Sequence, residues 1–397
     1  MGISMIGVDY SKASVAERER FALTASRAED TMRRAIACGA AGCVVLSTCN
    51  RTEIWLSGFE QDPITLLAGQ QDPARDIFLR REEAEAVRYL FELACGMHSQ
   101  IFGEDQILTQ VGGAIDTARS CGCSDAVLEA LFREAVTAAK AVKTETRLAV
   151  RNASVLDCAI DRYEREYGSI AGRRCLVIGN GEMGRMTAEK LLGCGALVTM
   201  TLRQYRDGSA RVPEGCAVIA YSERYAALSD SDVVFSATLS PHYTILATDF
   251  PQKHQNPVIL FDLAGPRDLD PRLRSCKGIS LYDIDDLGVS HAASPEELQK
   301  AELILTKHIR YFEAWRVMRS CLPEIQSICD AAAEWAGSRI GSSGFPAEQH
   351  SAEQLQAETR CIIQKTIQHM LFGLRDELEP EQLRICISAL HHAMQRD

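Results

Sequence analysis

The segment Cys175-Leu176-Val177-Ile178-Gly179-Asn180-Gly181-Glu182-Met183-Gly184 is an apolar run that enters Gly-x-Gly-x-x-Gly and then helical periodicity as far as Cys194. In that setting the first glycine makes the tight turn, the second admits a pyrophosphate, and the third lets helix and strand pack closely. Apolar runs at 197–201, 233–236 and 258–262 follow in βα alternation, which predicts a parallel sheet. The alternative is a turn that serves packing alone. The candidate cofactor contacts are Gly179, Asn180, Gly181, Glu182, Met183 and Gly184. The second strand leads into Arg203 with no acid directly at its end, although Asp207 lies beyond. A 2′-phosphate suits an arginine there, so NADPH is expected over NADH.

Upstream, Ile3 to Val8 alternates like a strand and Ser26 to Cys38 has helical spacing. A strand–turn–strand unit follows, Cys43-Val44-Val45-Leu46 and then Glu53-Ile54-Trp55-Leu56, with Cys49 at its tip and Arg51 two residues on. These elements predict an α+β domain. A cysteine on a loop beside a guanidinium can be partly thiolate, and the thiolate is the nucleophile. The alternative for Cys49 is a half-buried core residue. Helical patterns run from Glu82 to Arg119, broken at Gly96 and Gly103, and from Asp125 to Arg147. Asn152-Ala153-Ser154 offers an N-cap for a further helix ending near Gly168.

From Pro295 the β runs disappear and four helical stretches follow, with Gly337 to Pro346 reading as a loop. An all-helical tail of this kind suits assembly. No run of eighteen apolar residues and no leader pattern appear, so a cytoplasmic protein is expected. The fifteen scattered cysteines argue against a disulfide framework, and C-x-C at Cys121 and Cys123 is no zinc spacing, so no metal is expected. A formal charge of −11 does not by itself suggest a nucleic-acid partner. Arg133, Lys140, Lys143, Arg147 and Arg151 nonetheless lie along one helical stretch, as a basic patch or a solvated face.

The run Ser47-Thr48-Cys49-Asn50-Arg51-Thr52-Glu53 resembles the active-site segment of the glutamyl-tRNA reductase family. Gly96-Met97-His98-Ser99-Gln100-Ile101-Phe102-Gly103-Glu104-Asp105-Gln106-Ile107-Leu108 resembles a second family motif, with His98 for Asp and Asp105 for Pro. Lys143 to Thr146, Ser236-Ala237-Thr238, Asp262 to Asp268 and Tyr282 to Leu287 match in family order. The opening, Gly7 to Ala13, departs at Asp9, Tyr10, Ser11, Lys12 and Ser14 from the family's G-x-N-H-K-T-A-P. Tyr89 stands where the family carries a histidine assigned to the chemistry; tyrosine is a poor base at neutral pH. His98 either substitutes for that histidine or is simply exposed.

The resemblance implies an α/β multidomain protein: an N-terminal α+β catalytic domain (1–150), the start of a connecting helix (151–167), a Rossmann-type NADPH domain (168–289) and a helical C-terminal dimerisation domain (290–397). Cys49 would attack the ester of glutamyl-tRNA(Glu), and NADPH would reduce the thioester to glutamate-1-semialdehyde. Arg51 would clamp the glutamate carboxylate; Thr48, Asn50, Ser99, Glu104, Asp105, Gln106 and Gln110 would line its pocket, with helix capping the alternative for Glu104 and Gln106. Tyr89 and His98 are candidates for supporting the chemistry, and Arg203, Ser236 and Thr238 for holding the cofactor. A homodimer through the helical tail and a glutamate-1-semialdehyde aminomutase as transient partner are expected. The other readings are a paralogue acting on an aminoacyl-tRNA elsewhere, or a non-catalytic tRNA- or haem-binding regulator, although no C-x-x-C-H motif supports haem.

Overall fold

Strand β1 (Ile3–Asp9) begins a four-stranded antiparallel sheet completed by β2 (Gly42–Ser47), β3 (Arg51–Ser57) and β4 (Leu79–Glu82), in the order β2-β3-β1-β4. The computed structural model of the chain describes residues 2–68, 75–100, 102–103, 106–148, 154–203, 212–238, 240, 242–251, 258–287, 293–342 and 352–395. These fall into two compact units, one ending at Ala301 and one beginning at Glu302.

In the first unit, helices Ala25–Ala37, Glu83–Ala94, Gln106–Ser120 and Ala126–Glu145 pack on the antiparallel sheet. Gly96 and Gly103 take left-handed conformations, with φ of +74° and +77°, and so end the helical run that began at Glu83.

The second sheet of this unit is wholly parallel. Its strands are β5 (Arg174–Ile178), β6 (Leu197–Leu202), β7 (Ala217–Ala220), β8 (Val233–Ser236), β9 (Val258–Asp262) and β10 (Ile279–Tyr282), in the order β10-β9-β8-β5-β6-β7. The order reverses between β5 and β8, which puts a ligand crevice at their carboxyl ends. Alternation feeds two cores: Cys175, Val177, Met200 and Phe235 on one face, Leu176, Ile178, Val234 and Leu260 on the other. Each such aliphatic or aromatic side chain contributes ~1.5–3 kcal/mol when fully buried.

The helix Val155–Tyr167, read from sequence as the start of a connection, is packed into the first of these cores through Val155, Leu156, Ala159, Ile160 and Tyr163. Ser154 Oγ accepts from Asp157 N while Asp157 Oδ2 accepts from Ser154 N, a reciprocal cap that sets where the helix begins.

Helix Pro295–Ser320 leads into the second unit, followed by Leu322–Ser342, Ala352–Glu377 and Pro380–Met394. Met318, Ile325, Ile328, Leu371, Leu383 and Ile387 form its core. The loop expected from Gly337 is corrected: the helix runs on to Ser342, because a glycine inside a helix costs only ~1 kcal/mol. Residues 343–350 lie outside the described residues. Among the described residues no helix is long and apolar enough to cross a membrane. None of the fifteen cysteines, all of them described, forms a disulfide.

Candidate active site

The hairpin between β2 and β3 turns through Thr48, Cys49 and Asn50. Thr48 N donates to Arg51 O at 2.8 Å and Asn50 N donates to Thr48 Oγ1 at 3.2 Å, so the turn closes on itself with Cys49 at its tip. Tyr10 N ties it to β1 through Asn50 O at 3.1 Å. Cys49 is half-buried and packs against the first core of the parallel sheet. The loop after β9 lies directly on it: a Cβ built on Gly265 would fall 2.3 Å from Cys49 Cα. Only glycine permits that approach. Beside the thiol is a cleft lined by Arg18, Glu19, Thr48, Arg51 and Pro266.

Strand periodicity puts Arg51, Glu53 and Trp55 on one face of β3. Register sets Asp9 opposite Arg51 and Gly7 opposite Glu53, and a Cβ on Gly7 would meet Glu53 Cγ at 2.7 Å. The sheet therefore has room for a buried charge cluster. Arg51, 2% exposed, donates Nη1 to Glu53 Oε1 and to Tyr89 Oη, each at 2.9 Å, and Nη2 to the carbonyl of His98. Asp9 Oδ2 is 3.7 Å away, the loosest of its contacts. Tyr89 donates to Glu53 Oε1 at 2.7 Å, and Trp55 Nε1 donates to Glu53 Oε2 at 3.1 Å. Burial, and then the Glu53 carboxylate, push the Tyr89 pKa far above the usual tyrosine value. Tyr89 is thus held as a neutral hydroxyl that accepts from Arg51 and donates to Glu53.

The His98 ring packs on the Tyr89 ring with centroids 4.6 Å apart, and its Nε2 lies 2.7 Å from Glu92 Oε2. His98 is partly exposed but engaged on both sides. Lys12, which replaces a small family hydroxyl, points to solvent. Ser99 Oγ, Asn50 Oδ1 and Gln100 Oε1 are buried without a hydrogen-bond partner. Such groups are uncommon and call for an explanation. Gln106 opens its helix and Gln110 lies one turn on, both half-buried. Glu104 and Asp105 lie outside the described residues. Sequence reasoning assigned no role to Asp9 or Glu53. The signal for Glu53 was present: a carboxylate running directly into the apolar Ile54-Trp55-Leu56.

At the carboxyl end of the parallel sheet, Gly179 has φ +113° and passes so close to Ala237 that a Cβ would lie 2.6 Å from its carbonyl oxygen. A Cβ on Gly184 would meet Gly179 O at 2.2 Å, whereas Gly181 faces open space. Gly181 caps helix Glu182–Gly193 without a side-chain hydrogen bond, so the first-turn N–H groups present an anion site, with Met183 half-buried in that turn. Asn180 Oδ1 is buried beside it without a partner. Ser236 Oγ and Thr238 N donate to Asp268 Oδ2 at 2.8 and 2.7 Å, and Thr238 Oγ1 donates to Asp268 Oδ1. Asp268 therefore holds the β8 end facing the glycine turn. Asp262 accepts from the backbone N of Ala264, Asp268 and Leu269 at 3.1, 3.2 and 2.8 Å. Burial, and then the Asp268 charge, push its pKa up to about 8. Arg203 follows β6 directly, with its guanidinium 4.7 Å from the Tyr221 ring centroid.

The family model described as the N-terminal domain of glutamyl-tRNA(Glu) reductase matches residues 6–146, and the one described as shikimate/quinate 5-dehydrogenase matches residues 161–289. The chain is 39% identical over 335 residues to the glutamyl-tRNA reductase of Acetivibrio thermocellus, covering 81% of this chain and 99% of that one. It is 37% identical over 339 residues to that of Alkaliphilus oremlandii, with 81% and 99% covered. It is 38% identical over 329 residues to a probable multifunctional siroheme biosynthesis protein of Ruminiclostridium josui, covering 80% of this chain but 64% of that protein. The second family model accounts for the parallel sheet as a Rossmann-type, NAD(P)-binding fold. With 99% of a 39%-identical reductase covered, this chain belongs to the glutamyl-tRNA reductase family.

Proposed function

We propose that the protein reduces glutamyl-tRNA(Glu) to glutamate-1-semialdehyde, opening the five-carbon route to tetrapyrroles. Cys49 sulfur attacks the ester carbonyl, the C–O bond to the tRNA ribose breaks, and the ribose oxygen leaves with the thiol proton. The acyl group stays on Cys49 as a thioester, which is more electrophilic than the ester. When bound, NADPH would supply a hydride to that carbonyl carbon; the C–S bond then breaks, the aldehyde is released, and the sulfur takes a proton from solvent to restore the thiol.

The observation that carries this reading is that Cys49 lies at a turn tip against the β9 loop of the dinucleotide sheet. The crevice fits the cofactor: open space at Gly181, an uncapped helix N-terminus and the orphaned Asn180 Oδ1 suit a pyrophosphate. Exposed Arg203 suits a 2′-phosphate, which favours NADPH. The unpartnered Ser99 Oγ, Asn50 Oδ1 and Gln100 Oε1 are groups a glutamyl moiety could satisfy, with Thr48, Gln106 and Gln110 at the edge. Arg51 takes the substrate carboxylate by exchanging its 3.7 Å contact with Asp9, the contact easiest to give up. Tyr89 and His98 keep Arg51 in place.

Arg133, Lys140, Lys143 and Arg147 are exposed and supply phosphate contacts for tRNA; Arg151 lies outside the described residues. Two chains pair through the helical tail, which exposes Trp335, Ile362, Met370 and Ile385. The aldehyde is reactive, so an aminomutase that consumes it is the expected transient partner.

The test is an anaerobic assay with glutamyl-tRNA and NADPH, comparing wild type with Cys49→Ser. Semialdehyde from wild type alone is expected, with a loss of at least ~1,000-fold in the variant. A folded, NADPH-binding wild type that makes none would sink the assignment.

A further inference from the structure

The short helix Val15–Glu19 carries consecutive residues of opposite charge, and each meets its opposite on the dinucleotide half of the same unit. Glu19 Oε1 accepts from Arg267 N at 2.6 Å and Nε at 2.8 Å, and its Oε2 accepts from Nη2 at 2.7 Å. Arg18, 5% exposed, donates Nη2 to Asp285 Oδ1 at 2.8 Å. Asp285 Oδ2 in turn accepts from Val15 N at 3.0 Å, capping the helix from the other side. Gln100 Nε2 adds a bond to Ile284 O at 2.8 Å.

These contacts bracket the thiol. Arg267 stands two residues past Gly265, whose added Cβ would lie 2.4 Å from Cys49 Cβ. Arg267 and Glu19 are mostly buried, at 15% and 20% side-chain exposure, in a fork geometry that makes charge-assisted hydrogen bonds strong. With Gly265 seated on Cys49, the loop after β9 walls one side of the cleft beside the thiol. Lifting the loop would widen that cleft, and returning it would narrow it again.

We propose that Glu19 and Arg267 are positioning residues for the reduction step: their pair latches the Gly265 loop over Cys49, holding the dinucleotide half against the thioester and shutting out water. The proposal rests on the reductase reading for its chemistry. If the latch fails to close, water attacks the thioester carbonyl, the C–S bond breaks, and glutamate and the thiol form with no NADPH consumed.

Two measurements on the full chain test this. The first needs no turnover: the rate at which iodoacetamide alkylates Cys49, read by peptide mass mapping in wild type, Glu19→Gln, Arg267→Gln and Gly265→Ala. The first two remove charge, and the third keeps both charges but blocks seating by its Cβ. All three should label ~10-fold faster than wild type, the equivalent of ~1.4 kcal/mol of latch stability. Added salt should speed labelling of wild type far more than of Glu19→Gln. Wild-type labelling rates in all three variants would overturn the latch, whether or not the enzyme turns over.

The second measurement is the ratio of semialdehyde to glutamate released from glutamyl-tRNA with NADPH. It should fall ~10-fold in each variant while Cys49 still acylates and NADPH still binds. Faster labelling with an unchanged product ratio would overturn the role in reduction. A wild type that forms no Cys49 thioester would instead overturn the reductase reading, and the labelling rates would still decide the latch.

Discussion

The two sheets of the first unit carry their polar chemistry in opposite places. In the antiparallel sheet it lies inside, on the strands: Asp9, Arg51 and Glu53 are all at most 3% exposed. In the parallel sheet the inner strands β5, β8 and β9 are apolar inside, and the buried polar groups Ser236, Asp262 and Asp268 come at or after the last strand residue, with Thr201 near the end of β6. The difference follows from topology. Antiparallel neighbours set side chains directly opposite one another, so a guanidinium can be neutralised across strands. Parallel strands are covered on both faces by crossover helices, so only their carboxyl ends remain open. One site has its charges paired across strands, and in the other Asp262 and Asp268 tie the strand ends through hydroxyl and backbone hydrogen bonds.

The sharpest way to break this contrast is Glu53→Ala. It leaves the buried Arg51 without its closest carboxylate, and the chain should lose ~3–5 kcal/mol in urea unfolding. Arg203→Ala, at a strand end of the parallel sheet, should leave urea unfolding nearly unchanged. Equal losses in the two would mean that the contrast is false. Next comes Tyr89→Phe, which keeps the packing on Trp55 and His98 but orphans hydrogen bonds of Arg51 and Glu53. A loss of ~1–3 kcal/mol is expected, together with a lower affinity for glutamyl-tRNA.

For the parallel sheet, Arg203→Ala should weaken NADPH ~10-fold in a fluorescence titration and leave NADH unchanged. An equal loss for both dinucleotides would remove the 2′-phosphate role. The smallest effect is pH dependence. The folded chain keeps on Asp262, up to about pH 8, a proton that an unfolded aspartic acid releases near pH ~4. The native state then binds more protons, so this contribution is complete below pH ~4 and is lost as pH rises toward about 8. Urea midpoints from pH 6 to 8 should fall by the equivalent of ~1 kcal/mol per unit, and Asp262→Asn should flatten the slope.

Much of this was legible beforehand. The inner strands β5, β8 and β9 stood out as apolar runs, the helix after Ser154 as a periodic segment behind a capping side chain, and the helix from Asp125 by its periodicity. The strands missed were β4, β7 and β10, and each is a sheet edge. An edge strand is held by one neighbour and half-exposed, so Leu79-Arg80-Arg81-Glu82 carries little apolar signal, and Ala217 to Ala220 is a four-residue apolar run with no alternation. The helix to Ser342 was hidden by Gly337, because a breaker signal is read locally while one glycine costs a helix interior only ~1 kcal/mol.

By itself the sequence determined the family, the dinucleotide turn and the position of Cys49 at a hairpin tip, since each depends on residues adjacent in the chain. Spacing, periodicity and glycine stereochemistry act over a few residues and can be read one segment at a time. Only the tertiary structure decided that Arg51 is caged by Asp9, Glu53 and Tyr89, and that Glu19 and Arg267 meet beside Gly265 and Cys49. Those partners are brought together by strand register and by the packing of two sheets. The energy of a buried ion pair depends on distance and dielectric, neither of which a chain has until it is folded.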